Sequence, residues 1–102
     1  MSEYTRKYPY EKTMVLNAIY DAVDTIDFLI DRANSMRGTL IISSVSFPQI
    51  GGRVAISPDD MIGHTRVEIF PKCEDGLLQG WPCVLLDETE ALLRRAGLEE
   101  AQ

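Results

Sequence analysis

The chain has 102 residues, of which 45% are hydrophobic and 25% are charged. This length suits one domain over residues 1–102, and the composition is that of a folded globular protein, which excludes a mainly disordered chain. The 10 basic and 16 acidic residues give a net charge of −6, and no run of Lys and Arg is present. Because such a surface repels phosphate backbones, we expect no nucleic-acid partner.

The N-terminal stretch MSEYTRKYPY contains no apolar segment of the kind that a secretion signal requires. The apolar runs elsewhere, such as Leu40 to Ile42, are too short to cross a bilayer, so we expect no membrane partner. We therefore expect a cytoplasmic protein. The reducing cytoplasm argues against a structural disulfide between Cys73 and Cys83.

An edge strand and an amphipathic helix are predicted first. Residues 3–8 alternate in a way that places Tyr4, Arg6 and Tyr8 on one side of a strand. A helix then begins near Tyr10, because apolar residues recur at helical spacing and form one stripe: Val15, Ala18, Ile19, Ala22, Val23 and Ile26. This stripe is expected to cover one face of a sheet.

The end of this helix has two interpretations. The apolar stripe continues as far as Gly38, a residue that often caps helices, which predicts one long helix over 10–37. Alternatively the helix ends near Thr25, residues 26–30 form a half-buried strand, and the polar run 32–38 connects it to a second strand. We favour the second interpretation, because helices in globular domains average about 11–12 residues.

The second half of the chain is predicted to form the rest of the sheet and a closing helix. β-Branched residues are frequent in segments that we predict as strands: 39–47, 53–57 and 65–70. The connections between these strands are short, which favours antiparallel pairing. Pro82 or Asp87 begins a helix that ends at Gly97, and a frayed tail is expected over 98–102.

These elements predict an α+β fold in the order β-α-β-β-β-β-α, in which two helices pack on one face of an antiparallel sheet of four to five strands. If the first helix spans 10–37 instead, a three-stranded sheet and a C-terminal helix follow it. An open sheet has edges that pair with other strands, so a second copy of the chain is a candidate partner.

The run AIYDAVDTIDFLIDRANSMRGTLIIS (18–43), together with the tyrosine-bearing strand before it, resembles a pattern of small uncharacterised bacterial domains. In that pattern a helix ends, a strand follows, a polar turn carries a Gly, and a second strand pairs back. The resemblance covers residues 4–46 and implies a β-α-β-β start with a closing helix. Such patterns usually have Gly at the helix-to-strand turn, where this chain has Asp27. The resemblance implies no catalytic motif.

Cys73, Cys83 and His64 are the residues whose side chains are best suited to metal binding or nucleophilic chemistry. Nine residues separate the cysteines, whereas redox pairs show C-x-x-C, and a zinc site needs about four ligands. We therefore interpret the cysteines as packing residues and His64 as a loop residue, and we expect no metal and no cofactor. The pair Gly51-Gly52 lacks a phosphate-loop context and is interpreted as a sharp turn or bulge.

The aromatic residues supply the candidate binding residues: Tyr4, Tyr8, Phe47 and Trp81. Tyr and Trp are enriched at interfaces, where they combine a large contact area with a polar tip. Because no nucleophile, metal or phosphate motif can be assembled, the sequence predicts a non-enzymatic binding or protein-interaction module. Its partner is an unknown protein or a second copy.

Two alternative functions stay open at this point. One is a pocket for a small apolar ligand between helix and sheet, lined by residues such as Val23, Phe28, Phe47 and Trp81. The other is a metal-dependent or thiol enzyme that uses His64 with Cys73 and Cys83. The first requires a cavity, and the second requires that the imidazole and a thiol lie side by side.

Overall fold

The structure is a computed structural model that describes residues 4–72 and 80–100. Within those ranges the elements are β1 (Tyr4–Tyr8), α1 (Lys12–Thr25), β2 (Phe28–Asn34), β3 (Thr39–Ser44), β4 (Gly51–Pro58), β5 (Thr65–Pro71) and α2 (Gly80–Glu100). The predicted α+β order β-α-β-β-β-β-α is confirmed. The radius of gyration is 13.2 Å, close to the roughly 13 Å expected for a compact chain of about 100 residues.

The sheet has five strands in the order β1-β5-β4-β3-β2, and every neighbouring pair is antiparallel. Short connections dictate this order for β2 to β5, because each strand turns back onto its predecessor. The chain enters β2 from α1, so β1 is left to pair with the far side of β5. As a result β1 and β2 form the two edges of the sheet.

Helix α1 ends where the backbone of Asp27 adopts the left-handed conformation, with φ 66°. Left-handed residues commonly terminate helices, because their amide groups then bond to the last carbonyls of the helix. Here the Ile26 N–H donates to the Ala22 carbonyl and the Asp27 N–H donates to the Asp24 carbonyl. The helix therefore ends near Thr25, as we expected, and the alternative of one helix over 10–37 is wrong.

The core lies between the helices and one face of the sheet. The apolar stripe of α1 contributes Val15, Ala18, Ile19, Ala22 and Val23. The strands and α2 contribute Leu40, Ile42, Val54, Ile56, Val67, Ile69, Leu85, Leu86 and Leu93, all 3% exposed or less. Each such aliphatic side chain contributes roughly 1.5–3 kcal/mol of transfer free energy, which offsets the entropy lost on folding.

Helix α2 differs from the prediction at both ends. It begins at Gly80 rather than at Pro82 or Asp87, and it continues through Glu100, so the predicted end at Gly97 is wrong. Gly97 lies within the helix beside the Tyr10 ring. Among the described ranges, no helix is long and apolar enough to cross a membrane.

Strands β2 and β4 are both longer than predicted. Strand β2 extends to Asn34. The prediction ended it at residue 30, because a bulge between Ile30 and Arg32 shifts the register and breaks the alternation that marks a strand in sequence. Strand β4 begins at Gly51, so the interpretation of Gly51-Gly52 as a turn is wrong. Both glycines are buried between neighbouring strands, where a Cβ would overlap a backbone carbonyl oxygen.

Candidate functional site

The second face of the sheet lies opposite the two helices, and we call it the open face. Both helices pack on the opposite face, and no helix in residues 4–72 and 80–100 covers this one. Strand alternation and the register of the ladders place these charged and apolar side chains on it: Lys7, Leu29, Asp31, Arg32, Ile41, Arg53, Arg66, Glu68 and Phe70.

The open face carries a charge opposite to that of the whole chain. Four cations and three carboxylates, namely Asp31, Glu68 and the Asp59 that pairs with Lys7, give it a local net charge of +1, whereas the chain as a whole carries −6. The cations come from four different strands and are far apart in sequence: Lys7, Arg32, Arg53 and Arg66. Folding therefore brings together on one face cations that are far apart in the linear sequence.

One row of side chains crosses four strands of this face, and we call it the Arg53 row. It is formed by Arg32 on β2, Ile41 on β3, Arg53 on β4 and Phe70 on β5, each directly opposite the next. The Arg53 guanidinium carbon lies 4.6 Å from the centre of the Phe70 ring, within the range of a cation–π contact. The row thus alternates cation, aliphatic, cation and aromatic side chains.

Each carboxylate of the open face has a partner within the protein. A carboxylate oxygen of Glu68 lies 3.5 Å from Nε of Arg66, and Asp31 accepts a 2.8 Å hydrogen bond from the Ser43 hydroxyl. Lys7 lies 3.6 Å from Asp59, whose side chain is almost fully buried.

Arg32 and Arg53 differ from Lys7 and Arg66, which each have a carboxylate within 4 Å. The residues that the structure describes supply no carboxylate partner to either guanidinium. Because adjacent strands are about 4.8 Å apart, the backbones of these two residues are separated by about 10 Å across the row. The Arg53 row therefore presents two positive charges that the described part of the fold leaves uncompensated.

A shallow hollow of about 430 Å³ opens at the β2 end of the Arg53 row. It is lined by Arg32, Ala33, Asn34, Thr39 and Ile41. These side chains combine a cation, two hydrogen-bonding groups and two apolar groups, which together suit an amphipathic side chain of a partner.

Of the predicted binding residues, Tyr4 and Tyr8 both lie on edge strand β1 and face the helices. Tyr8 is 1% exposed, and its hydroxyl donates a 2.8 Å hydrogen bond to the Leu86 carbonyl. Burial raises the pKa of Tyr8 to about 12. Tyr8 therefore connects α2 to β1, and Tyr4 is half-buried against the same core.

Phe47 and Trp81 lie away from the two tyrosines, towards the β2 edge of the sheet. Phe47 is 56% exposed in the connection after β3, and Trp81 packs against Phe28 of β2 with ring centroids 5.2 Å apart. Three strands separate β1 from β2, so the structure does not bring the two tyrosines together with Phe47 and Trp81. Of the residues considered for a ligand pocket, Trp81 and Phe28 pack against each other and Val23 is buried in the core.

The residues with metal-binding or nucleophilic potential also lie apart. His64 lies in the turn between β4 and β5, where its backbone N–H donates a hydrogen bond to the Met61 carbonyl. Cys83 is a free, exposed cysteine at the start of α2, near the opposite end of the sheet, so its interpretation as a packing residue is wrong. Cys73 lies outside the described residues. Within residues 4–72 and 80–100, no three His, Cys, Asp or Glu side chains converge as metal ligands.

Comparison of the chain with known protein families finds no family model that matches it, and comparison with curated proteins finds no relative. Function is therefore inferred from the geometry of the open face. Sequence reasoning missed this surface, although one signal was present: in β5 the outward positions alternate regularly and carry Arg66 and Glu68. Only the register of the ladders reveals which outward residues of other strands stand beside them.

Proposed function

We propose that this chain is a non-enzymatic protein-interaction module that binds a partner protein through its open face. The observation that carries the proposal is the Arg53 row, which places two uncompensated cations, an aliphatic side chain and an aromatic ring on an uncovered part of the sheet. Aromatic and Arg side chains are enriched among the residues that dominate binding at protein interfaces.

The apolar part of the open face supports the same proposal. Leu29 and Ile41 are large aliphatic side chains that stand exposed on neighbouring strands, and their burial by a partner would release water from apolar surface. Five strands of about six residues cover roughly 500 Å², below the roughly 800 Å² per partner of a standard interface. We therefore expect a transient rather than a permanent complex.

A non-enzymatic role is supported by the separation of the reactive side chains. Among the described residues, His64 lies in the β4–β5 turn and Cys83 lies near the other end of the sheet, so this base and this thiol do not meet. The free, exposed thiol of Cys83 is compatible with a reducing compartment, and the proposal places the protein in the cytoplasm.

Site-specific photo-crosslinking in cells that make the protein tests the proposal. A photoreactive side chain is introduced at Ile41, which is 38% exposed on the open face. The matched control position is Val84, an aliphatic residue 52% exposed on α2. A third position, Ile62, is fully exposed in the β4–β5 turn and reports on binding by the apolar turn tips.

We expect a discrete adduct of one partner protein from Ile41 and none from Val84 or Ile62. The partner is identified by mass spectrometry of that adduct. Equal labelling from all three positions, or labelling from Ile62 alone, would show that the open face is not the docking surface.

A further inference from the structure

We propose that the segment bound by the open face is acidic, and that its carboxylates pair with Arg53 and Arg32. This inference rests on the proposed function and adds the chemistry of the partner. It starts from charge complementarity: the open face has a local net charge of +1 on a chain whose net charge is −6, and among the described residues Arg32 and Arg53 have no carboxylate in ion-pair contact. A surface of this sign favours anionic groups over cationic ones.

Arg53 is held ready to bind a carboxylate. Its guanidinium lies over the Phe70 ring at 4.6 Å, which restricts the side chain before a partner arrives. A planar guanidinium stacked on a ring still presents N–H groups at its edge, and these match the two oxygens of a carboxylate. Less side-chain entropy is therefore lost when the ion pair forms.

Arg32 and the hollow beside it define the other end of the site. Arg32 and Arg53 flank Ile41, with backbones about 10 Å apart, so one segment can pair with both guanidinium groups and cover the aliphatic side chain between them. The hollow of about 430 Å³ receives a larger side chain next to Arg32. The segment that fits is an acidic one with apolar residues between its carboxylates.

The negative charge elsewhere on the chain does not oppose this binding strongly. The exposed carboxylates of α1, such as Asp21 and Asp24, lie on the far side of the helical layer. They are therefore separated from the open face by more than the Debye length, which is about 8 Å at physiological ionic strength. These distant carboxylates therefore contribute little to the potential that a bound segment experiences.

Two other occupants fit the surface less well. A second copy docked face to face about a two-fold axis would place like charges against each other, because the same net positive surface is present on both copies. Affinity for the phosphate backbone of a nucleic acid requires many cations, whereas among the described residues of this face only Arg32 and Arg53 lack a carboxylate in ion-pair contact.

The inference is tested with a fluorescent synthetic peptide of repeated Glu-Glu-Leu units, titrated with the full chain at low and at physiological salt. A peptide of repeated Lys-Lys-Leu units is the matched probe of opposite charge, and a single-stranded oligonucleotide represents phosphate ligands. We expect saturable binding of the acidic peptide alone. Its affinity should fall as salt rises, because the contacts are ion pairs at the surface.

Single substitutions identify the cations that are responsible. Arg53→Ala should weaken binding of the acidic peptide about tenfold, as expected for the loss of charge-assisted hydrogen bonds. Arg53→Lys should cause a smaller loss, because it keeps the charge but not the planar fork. Arg95→Ala, on the exposed side of α2, is the matched control and should bind as the unmodified chain does. Circular dichroism checks that each variant is folded.

Each opposite result overturns the inference. These results are no binding of the acidic peptide at low salt, equal losses for Arg53→Ala and Arg95→Ala, and tighter binding of the oligonucleotide. Salt-sensitive self-association in light scattering that Arg53→Ala abolishes would assign the surface to a second copy. If photo-crosslinking from Ile41 still yields a partner while the peptide fails, the docking surface stands and only the acidic chemistry is wrong.

Discussion

The guanidinium of Arg53 on β4 lies over the ring of Phe70 on β5, and the two residues are directly opposite each other in the ladder. The contact joins two adjacent strands of the open face, one residue pair from the end of their ladder. A cation above an aromatic ring is attracted to the negative charge of the ring face, and at exposed sites the attraction is worth about 0.5–1 kcal/mol. The pair therefore stabilises the pairing of β4 with β5 and also positions the Arg53 guanidinium in the proposed binding site.

A double-mutant cycle measures this contact. Arg53→Met and Phe70→Leu keep apolar bulk but remove the cation and the ring, so we expect a coupling of about 0.5–1 kcal/mol in the free energy of unfolding. Urea denaturation of the two single variants and the double variant gives the value. Arg95→Met combined with Phe70→Leu is the control cycle, because Arg95 lies on α2, and its effects should add. A coupling near zero for Arg53 and Phe70 would show that the ring does not hold the guanidinium.

The left-handed backbone of Asp27 predicts a stabilising substitution. At φ 66° an L side chain is strained, while glycine is not, so Asp27→Gly should raise the free energy of unfolding by about 0.5–1 kcal/mol. Asp21→Gly is the matched control: Asp21 is exposed and lies a full turn before the end of α1, where glycine should lower the free energy of unfolding by about 0.3 kcal/mol relative to Asp. If both variants lose stability equally in urea denaturation, Asp27 makes a compensating contact.

The prediction for Asp27 also shows how far the sequence could lead. The helical spacing of α1, the end of that helix and the antiparallel sheet could all be predicted, because each depends on residues that are close in sequence. Asp27 was recognised as a departure from the usual Gly at this turn. Its left-handed conformation confirms that the turn needs the geometry that glycine supplies most easily.

The Arg53 row could not be predicted, for a physical reason. Its members come from four strands, and their adjacency depends on the register of three ladders and on a bulge in β2. A shift of one residue in any ladder would move a whole strand's outward side chains to the other face. The bulge between Ile30 and Arg32 makes such a shift, and no local pattern marks it.

The glycines at the start of β4 predict a difference between two alanine substitutions. A Cβ at Gly51 would overlap the carbonyl oxygen of Ile42 on the neighbouring strand, so the backbone must move to accommodate it. We expect Gly51→Ala to lower the free energy of unfolding by about 2–3 kcal/mol. Gly80→Ala is the control, because a Cβ there meets no described atom within 4 Å, and it should be neutral or slightly stabilising. Equal thermal stability of the two variants would contradict the close strand approach.

The hydrogen bond from the Tyr8 hydroxyl to the Leu86 carbonyl stabilises the packing of α2 against β1, so removal of this hydroxyl should lower the free energy of unfolding. Tyr8→Phe removes the donor and leaves a buried carbonyl oxygen without that partner, which should lower the free energy of unfolding by about 1–2 kcal/mol at neutral pH. Chemical denaturation measures this difference. A substitution without effect would mean that water replaces the hydroxyl.

The same buried hydroxyl predicts how stability depends on alkaline pH. Burial raises the pKa of Tyr8 from 10.0 to about 12, so between these values the folded protein keeps a proton that the unfolded chain has released. The unfolded state then binds fewer protons, so the free energy of unfolding is at its full value below about pH 10 and falls as pH rises towards 12. Since other groups titrate in this range, the contribution of Tyr8 is the difference between the unmodified chain and Tyr8→Phe. We expect the difference of about 1–2 kcal/mol at neutral pH to shrink or reverse as pH approaches 12, whereas parallel curves would show that the Tyr8 hydroxyl ionises as readily in the folded protein as in the unfolded chain.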